Sequence, residues 1–473
     1  MNPRPWAAPA AAALACLAAL CLAGPLLRIG LHLELPNEGW NAVHAMRWIG
    51  GGPLYPPRGA LIVNNYPPLW FLLEGMLGRW TGDPIVAGRI VAVAAFLWTA
   101  AMIAAAVFTW TRDRLAAAVG ALAFVATLAG LLGDFVALAE PQMLAHALMM
   151  TAFVLALRAR RRRAIAGAAV LAVAALFVKP IVVAAPLALT LWIAARRRAW
   201  LATWVASGAL AAAAALVACL AAFGQDFVDG LLYPRIFSLS RWATNLALVG
   251  KAAVPIMLWL VATRPDRTLG RPGDLVVLAL IGTALAELAT FGGALGVAAN
   301  VAFDLVIAAA LAAGLAVDPR RLAPALAAGP RRFAPALLVG LVLARVAAGL
   351  PGDLIERLAP ERQGAVLAEL EAVRAELASV RGPVACEALS LCLWAGHLSD
   401  IDLWKIRHER TLAPSVDAAA VAASLARGDY AAVVLFGRQD DRVAFPAVPG
   451  LTAALSAAYP QRSGGRYVTL FRR

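Results

Sequence analysis

The chain is cut into apolar blocks, each close to the length of a membrane span, and the cuts carry arginine. Residues 8–30, 85–110, 115–132, 141–157, 164–178, 180–195, 199–223, 246–263, 274–291, 300–317 and 333–350 form such blocks, to be compared with the roughly 20 helical residues that cross a bilayer core. With 62% hydrophobic and 15% charged residues in 473, the chain has more apolar surface than a soluble core can bury, so a bilayer must act as its solvent. No alternating pattern of barrel strands is seen. The expected fold is a polytopic α-helical membrane protein of about eleven transmembrane helices.

The formal charge of +14 does not indicate nucleic acid, because the arginines lie in gaps between apolar blocks and not in a stripe on a soluble face. Arg112–Arg114, Arg158–Arg163, Arg196–Arg198, Arg264–Arg271 and Asp318–Arg332 are the charged loops, and the positive-inside rule assigns all five to the cytoplasm. Pro67–Trp80 is apolar enough to be counted as a further crossing, but counting it would reverse every later loop. It is therefore expected as a juxtamembrane or re-entrant helix within an outer loop, 32–84. Arg4 and the apolar run to Gly30 would also suit a signal peptide cleaved near Ala23; the run is long for one, and an uncleaved first helix is the preferred reading. The N-terminus is then cytoplasmic, in an inner membrane of bacterial type.

Beyond Leu350 the pattern changes. Val366, Leu370, Val373, Leu377 and Val380 recur at spacings of four and three, the buried stripe of an amphipathic helix. Pro383–Cys386, Tyr430–Phe436 and Tyr467–Phe471 suit strands, and Leu451–Tyr459 a helix. The expectation is a membrane domain, 1–350, followed by a small extracytoplasmic α/β domain, 351–473. Cys16, Cys21 and Cys219 lie in apolar segments as small hydrophobes. Cys386 and Cys392 could form a disulfide in an extracytoplasmic domain, with two buried thiols the preferred reading.

No phosphate-binding glycine loop, GxSxG, HExxH or CxxC motif is present. Polar residues at the outer face are therefore the functional candidates, since ionisable groups near membrane depth are costly to keep. The first outer loop holds Glu34, Asn37, Glu38, Asn41, His44, Tyr55, Asn64, Asn65 and Tyr66. A partly desolvated carboxylate there, Glu38, suits a general base; it would equally suit the first turn of a helix running through Trp40 to Trp48. Glu140, one residue before Pro141, is expected at the mouth of the next span, where it could assist Glu38 or hold a metal, and would equally suit a cap of that helix. Asp134 is expected to cap that span.

Lys179, between two short apolar segments, could hold a phosphate, with Arg89, Arg235 and Arg241 as partners. His32, Glu34, Glu38 and His44 match no standard metal spacing. Trp40, Trp48, Tyr55, Tyr66 and Trp70 read as an interfacial belt or as sugar platforms.

Asn37-Glu38-Gly-Trp-Asn41, Gly51-Gly52-Pro53-Leu54-Tyr55 and Asn65-Tyr66-Pro67-Pro68-Leu69 resemble the first-loop series of the membrane glycosyltransferases with the GT-C fold. Those include protein O-mannosyltransferases, lipid A aminoarabinose transferases and relatives of lipopolysaccharide-core galacturonosyltransferases. Ala87-Gly88-Arg89, the acidic second loop near Glu140, the Lys179 turn and Gly292-Gly293 through Asn300 are also similar. The resemblance implies transfer of a sugar from a polyprenyl-phosphate donor to a lipid, glycan or protein acceptor at the outer face of the membrane. It implies Glu38 and Glu140 as catalytic residues, Lys179, Arg89, Arg235 and Arg241 on the donor phosphate, and Asn37, Asn41, Tyr55, Tyr66 and Asn300 around the substrate.

No cofactor is required by this reading, although a divalent cation would suit the loop carboxylates. Asn37 and Gln142 stand where the family commonly has Asp, so an inactive scaffold is one alternative. A transporter or flippase is another, disfavoured because no internal duplication is visible and the polar residues gather at one face.

Overall fold

The computed structural model describes residues 7–33, 35, 37–233, 235–263, 272–294, 296–318, 340, 360–404, 418–437 and 451–473. Arg4, Glu34, the loop Arg264–Arg271, residues 319–332, all of the expected span 333–350 but Gly340, and the domain boundary at 350/351 lie outside the described residues.

Each expected span before residue 318 coincides with a helix: α1 (Ala7–Leu27), α4 (Pro84–Thr111), α5 (Arg114–Leu131), α6 (Gln142–Arg158), α7 (Arg162–Val178), α8 (Ala184–Arg196), α9 (Leu201–Leu231), α11 (Val249–Thr263), α12 (Pro272–Phe291) and α13 (Phe303–Ala316). Between them lie α2 (Glu38–Ile49), α3 (Leu69–Thr81) and α10 (Leu239–Leu246). Five of the described helical segments are both long and apolar enough to cross a membrane. The protein is a multi-pass membrane protein.

Local chemistry sets the helix ends. Asp83 caps α4, its Oδ1 accepting from the amides of Ile85 and Val86 at 2.9 and 3.0 Å, with Pro84 pre-set for the first turn. Asp113 caps α5 by accepting from the Ala116 amide at 2.8 Å, directly after α4 closes on Arg112. In the bundle, α4 packs on α5 and α6, α6 on α7, α7 on α9, and α12 on α8. Every residue of α13 is buried, between α5, α11 and α12. By contrast α9 buries only Trp204, Cys219, Phe227 and Gly230, leaving an apolar flank for lipid.

Three of the arginine loops meet at one end of the bundle. Arg158 donates to Thr109 Oγ1 and the Ala105 carbonyl, and Arg197 donates to the carbonyls of Ala159 and Leu157. Helix α3 has 13 residues, about 20 Å. It buries Trp70, Phe71, Glu74, Gly75 and Gly78 and exposes Leu69, Leu72, Met76 and Trp80, so one face lies on protein and the other is apolar and uncovered.

Toward the C-terminus lie α14 (Pro360–Leu377), α15 (Leu389–Trp394), α16 (Ala418–Arg427) and α17 (Leu451–Ala458), with strands β1 (Val384–Cys386), β2 (Ala432–Phe436), β3 (Gln461–Gly464) and β4 (Val468–Arg472). The sheet order is β1-β2-β4-β3, β1 pairing parallel to β2 and the other pairs antiparallel. Leu370, Val373 and Leu377 of the expected stripe are buried. The Glu369 carboxylate of α14 accepts from the amides of Arg466, Tyr467 and Val468, tying helix to sheet. Strand β3 was not legible in the sequence: its residues are largely exposed, so they carry no apolar alternation.

Two expectations are corrected. Cys386 and Cys392 form a disulfide, their Cα atoms 6.5 Å apart; the chain turns back between β1 and α15 and brings the thiols within bonding reach. Trp40, Tyr55 and Trp70 form no belt. They are buried: α2 packs on α3 and α3 on α4, which encloses Trp40 and Trp70, and the Tyr55 ring packs on Phe223 and Phe227 of α9.

Candidate functional site

The polar loops between the spans meet at the end of the bundle opposite the arginine loops. Glu38, in the first turn of α2, is fully enclosed, as is Arg89 of α4. Arg89 Nε donates to Glu38 Oε1 at 2.9 Å and Nη2 to Oε2 at 2.6 Å, a bidentate pair. The remaining Arg89 donors reach the carbonyls of Arg28, Ile29, Leu31 and Leu33. The pair therefore ties the loop between α1 and α4 to α4. Burial pushes the Glu38 carboxyl up, while the Arg89 hydrogen bonds and charge and the Ala139 amide pull it back.

Glu38 and Asn41, one helical turn apart, hold the same residue from both sides. Glu38 Oε1 accepts the Ala139 amide at 2.7 Å and Asn41 Nδ2 donates to the Ala139 carbonyl at 3.1 Å. The next residue is Glu140, buried, whose Oε1 takes the buried Lys179 ammonium. Lys179 closes the C-terminus of α7 and lies 5.0 Å from the centroid of the Tyr66 ring. Tyr66 is held in turn: the Tyr55 hydroxyl donates to its carbonyl at 2.8 Å, and its amide donates to Asn64 Oδ1 at 2.9 Å.

Asn300, in a short 3-10 turn before α13, donates from Nδ2 to Glu140 Oε1 at 3.4 Å and to Gln142 Oε1 at 3.2 Å. Gln142 Nε2 lies 2.7 Å from His146 Nε2. His146 Nδ1 is 3.8 Å from Asp304 Oδ1, and Glu287 accepts the Ala184 amide at 3.0 Å. A buried polar chain thus runs from Lys179 into the bundle.

Two hollows adjoin this chain. A cavity of about 330 Å³ is lined by Asn65, Tyr66, Lys179, Arg235, Asn300 and neighbouring apolar residues of α9 and the α12–α13 loop. Beside it an apolar groove of about 380 Å³ runs between α3, α7 and α9, with Pro68, Leu72, Phe177, Ala218 and Phe223 in its wall. Phe177 of the groove and Lys179 of the cavity are two residues apart in the chain, as are Pro68 and Tyr66.

Of the expected phosphate ligands, Lys179 and Arg235 meet at the cavity. Arg89 does not: its donors are taken up by Glu38 and four carbonyls. Arg241 is exposed on α10, outside the cavity wall, because Ser238 starts that helix and directs it away. Of the expected bases, Glu140 stands directly behind Lys179 and Asn300, whereas Glu38 is sealed. Asn37 is exposed in the left-handed region at φ 69°, a conformation asparagine tolerates. Asp134 caps no span; it pairs with Arg28 at 2.9 Å.

His32, Glu38 and His44 do not come together as a metal site. Among the described residues no three His, Cys, Asp or Glu side chains converge on a point suited to a cation.

Sequence reasoning missed Glu74, whose buried carboxyl faces Gly88 of α4. Burial pushes it well above the usual carboxylate range, opposed by Trp70 and reinforced by the Glu38 charge. A lone Glu inside the apolar run Leu69–Leu77 was the available signal. His146 was missed too; its spacing of four from Gln142 places both on one helix face.

No family model matches the chain, and no curated protein matches it in sequence. Solved structures do. ArnT from Cupriavidus metallidurans bound to undecaprenyl phosphate is 17% identical, with a TM-score of 0.61 over 96% of this chain and 97% of that one. Its apo state is 15% identical, with the same score and coverage. The apo oligosaccharyltransferase of Archaeoglobus fulgidus is 11% identical, with a TM-score of 0.51 over 92% of this chain and 70% of that one. By architecture, from the first-loop helices to the small terminal sheet, this chain has the GT-C fold.

Proposed function

We propose that the protein is a glycosyltransferase that moves a sugar from a polyprenyl-phosphate donor to an acceptor hydroxyl at the outer face of the inner membrane. The observation that carries this is a pair of hollows on neighbouring stretches of the chain: a cavity lined by Lys179, Arg235, Asn65 and Asn300, and an apolar groove between α3, α7 and α9. Such a pair of hollows fits one ligand class, an anionic headgroup on a long hydrocarbon tail. The GT-C fold and a neighbour of that fold bound to undecaprenyl phosphate support the same class.

In this reading Lys179 and Arg235 bind the donor phosphate through charge-assisted hydrogen bonds. Once Lys179 turns to phosphate, Glu140 is free to accept the proton of the acceptor hydroxyl. The hydroxyl oxygen bonds to the anomeric carbon as the bond from that carbon to the phosphate oxygen breaks, and the two cations stabilise the departing prenyl phosphate. Glu38 and Arg89 position the second loop through Ala139.

Residues 1–350 form the catalytic domain and 351–473 an extracytoplasmic domain, with the arginine loops and the N-terminus in the cytoplasm. Reporter fusions after Arg163 and Arg198 are expected to read cytoplasm, and one after Arg473 the outside. The function is tested by incubating purified protein with a panel of radiolabelled prenyl-phosphate sugars. Consumption of one of them, with release of prenyl phosphate, is expected. Consumption of none, together with no binding of undecaprenyl phosphate, rejects the proposal.

A further inference from the structure

The disulfide between Cys386 and Cys392 closes a turn that does more than join β1 to α15. Its residues Leu389 and Ser390 lie directly on the first turn of α2. A Cβ added at Gly39 would fall 2.1 Å from the Ser390 amide nitrogen and 2.5 Å from the Leu389 carbonyl carbon, so the two backbones touch and only glycine permits it. Gly39 is the neighbour of Glu38. From there the contacts are continuous: Glu38 and Asn41 grip Ala139, Glu140 follows Ala139, and Glu140 holds Lys179 in the cavity wall.

The segment following the disulfide is fastened to the same loop at further points. Trp394 Nε1 donates to Asp83 Oδ2 at 3.2 Å, Arg47 donates to the Ser399 carbonyl at 2.6 Å, and the Asp402 amide donates to the Leu61 carbonyl at 3.0 Å.

We propose that the disulfide-closed turn 386–392 is a positioning device for the cavity, holding α2 and through it Ala139 and the Glu140–Lys179 pair, and that this hold is redox-dependent. Reduction by a dithiol breaks the Sγ–Sγ bond. The two cysteines take up two electrons and two protons to become thiols, and the reductant becomes a cyclic disulfide. Freed of its closure, the turn no longer has to present Leu389 and Ser390 to Gly39. The link from turn to α2 stands on contact alone; its extension to ligand binding rests on the function proposed above.

Hydrogen exchange separates the two. The full-length protein in detergent is compared oxidised and after dithiothreitol, with reduction confirmed by mass, and alongside a Cys386→Ser/Cys392→Ser variant. Exchange over residues 37–49 is expected to quicken about tenfold, while the β1–β4 sheet and the spans keep their protection, and reoxidation of the reduced wild type restores it. Binding of undecaprenyl phosphate is expected to weaken by at least about fivefold in the reduced protein.

Unchanged exchange over 37–49 in both reduced protein and variant overturns the proposal. So does loss of protection throughout the sheet, which would make the disulfide a staple of the terminal domain alone. Faster exchange in α2 with unaltered undecaprenyl phosphate affinity overturns the reach to the cavity. If the oxidised protein binds no undecaprenyl phosphate at all, the function proposed above fails, while the coupling to α2 is still decided by the exchange data.

Discussion

Glu38 and Lys179 are joined through two consecutive residues of one loop: Ala139 gives its amide to Glu38 at 2.7 Å, and Glu140 takes the Lys179 ammonium. A carboxylate from the first long loop and a cation from the end of α7 are thus held close together in the bundle. The second loop acts as the spacer between them, which divides the work: the Glu38–Arg89 pair fixes the loop, and Glu140, behind the cavity wall, holds the Lys179 that lines it.

That division makes Glu38→Gln a test of stability before chemistry. The substitution leaves the Arg89 guanidinium enclosed without its counter-charge, a change that costs about 3–5 kcal/mol for a buried pair. The thermal midpoint in detergent is expected to fall markedly, while transfer per folded molecule falls only a few-fold. A well-folded Glu38→Gln protein with transfer reduced by a hundredfold or more would return the role of base to Glu38.

Glu74 gives a pH dependence with a definite sign. Its folded-state carboxyl is raised by burial, so the stability associated with its neutral form is fully present below the unfolded value, about 4.3. It is lost as pH rises from there toward the folded value. Glu74→Gln keeps a neutral group at every pH. Its thermal midpoint is expected to match the wild type near pH 4.5 and to exceed it by several degrees at pH 8. A wild type at least as stable as the variant at pH 8 would show that Glu74 is held ionised.

Arg235 and Arg241 differ in sequence by only six positions, yet only the first lines the cavity. Both are exposed, so neither substitution threatens the fold. Arg235→Gln is expected to weaken undecaprenyl phosphate about tenfold or more, the worth of a charge-assisted hydrogen bond. Arg241→Gln is expected to leave it within about twofold. Equal losses would detach the phosphate site from this cavity.

The groove is tested by filling it. Ala218, on the exposed flank of α9, lines the apolar channel. Ala218→Trp is expected to lower affinity for undecaprenyl phosphate about tenfold while sparing a phosphate with a tail of two isoprene units. Isothermal titration with both ligands reads the difference, and equal affinities for the long tail in variant and wild type would place the tail elsewhere.

The apolar blocks and arginine loops were legible in the sequence because each reports a local property: whether a stretch of about 20 residues prefers lipid, and where charge gathers between such stretches. The same holds for the stripe Leu370–Val373–Leu377 and for the polar richness of the first loop. The meeting of Lys179, Glu140 and Asn300 was decided only in three dimensions, since these side chains come from three segments brought together by how α6, α7 and α13 lie in the bundle.

For the same reason the sequence could nominate Glu38 and Arg89 as functional but not foresee that they cancel each other's charge, or that Tyr55 and Trp70 would be buried and not interfacial. Residue type and spacing settle what a segment can do in its own solvent. Which carboxylate faces a cation and which faces a cavity depends on packing between residues far apart in the chain, and there a shift of one helical turn changes the partner.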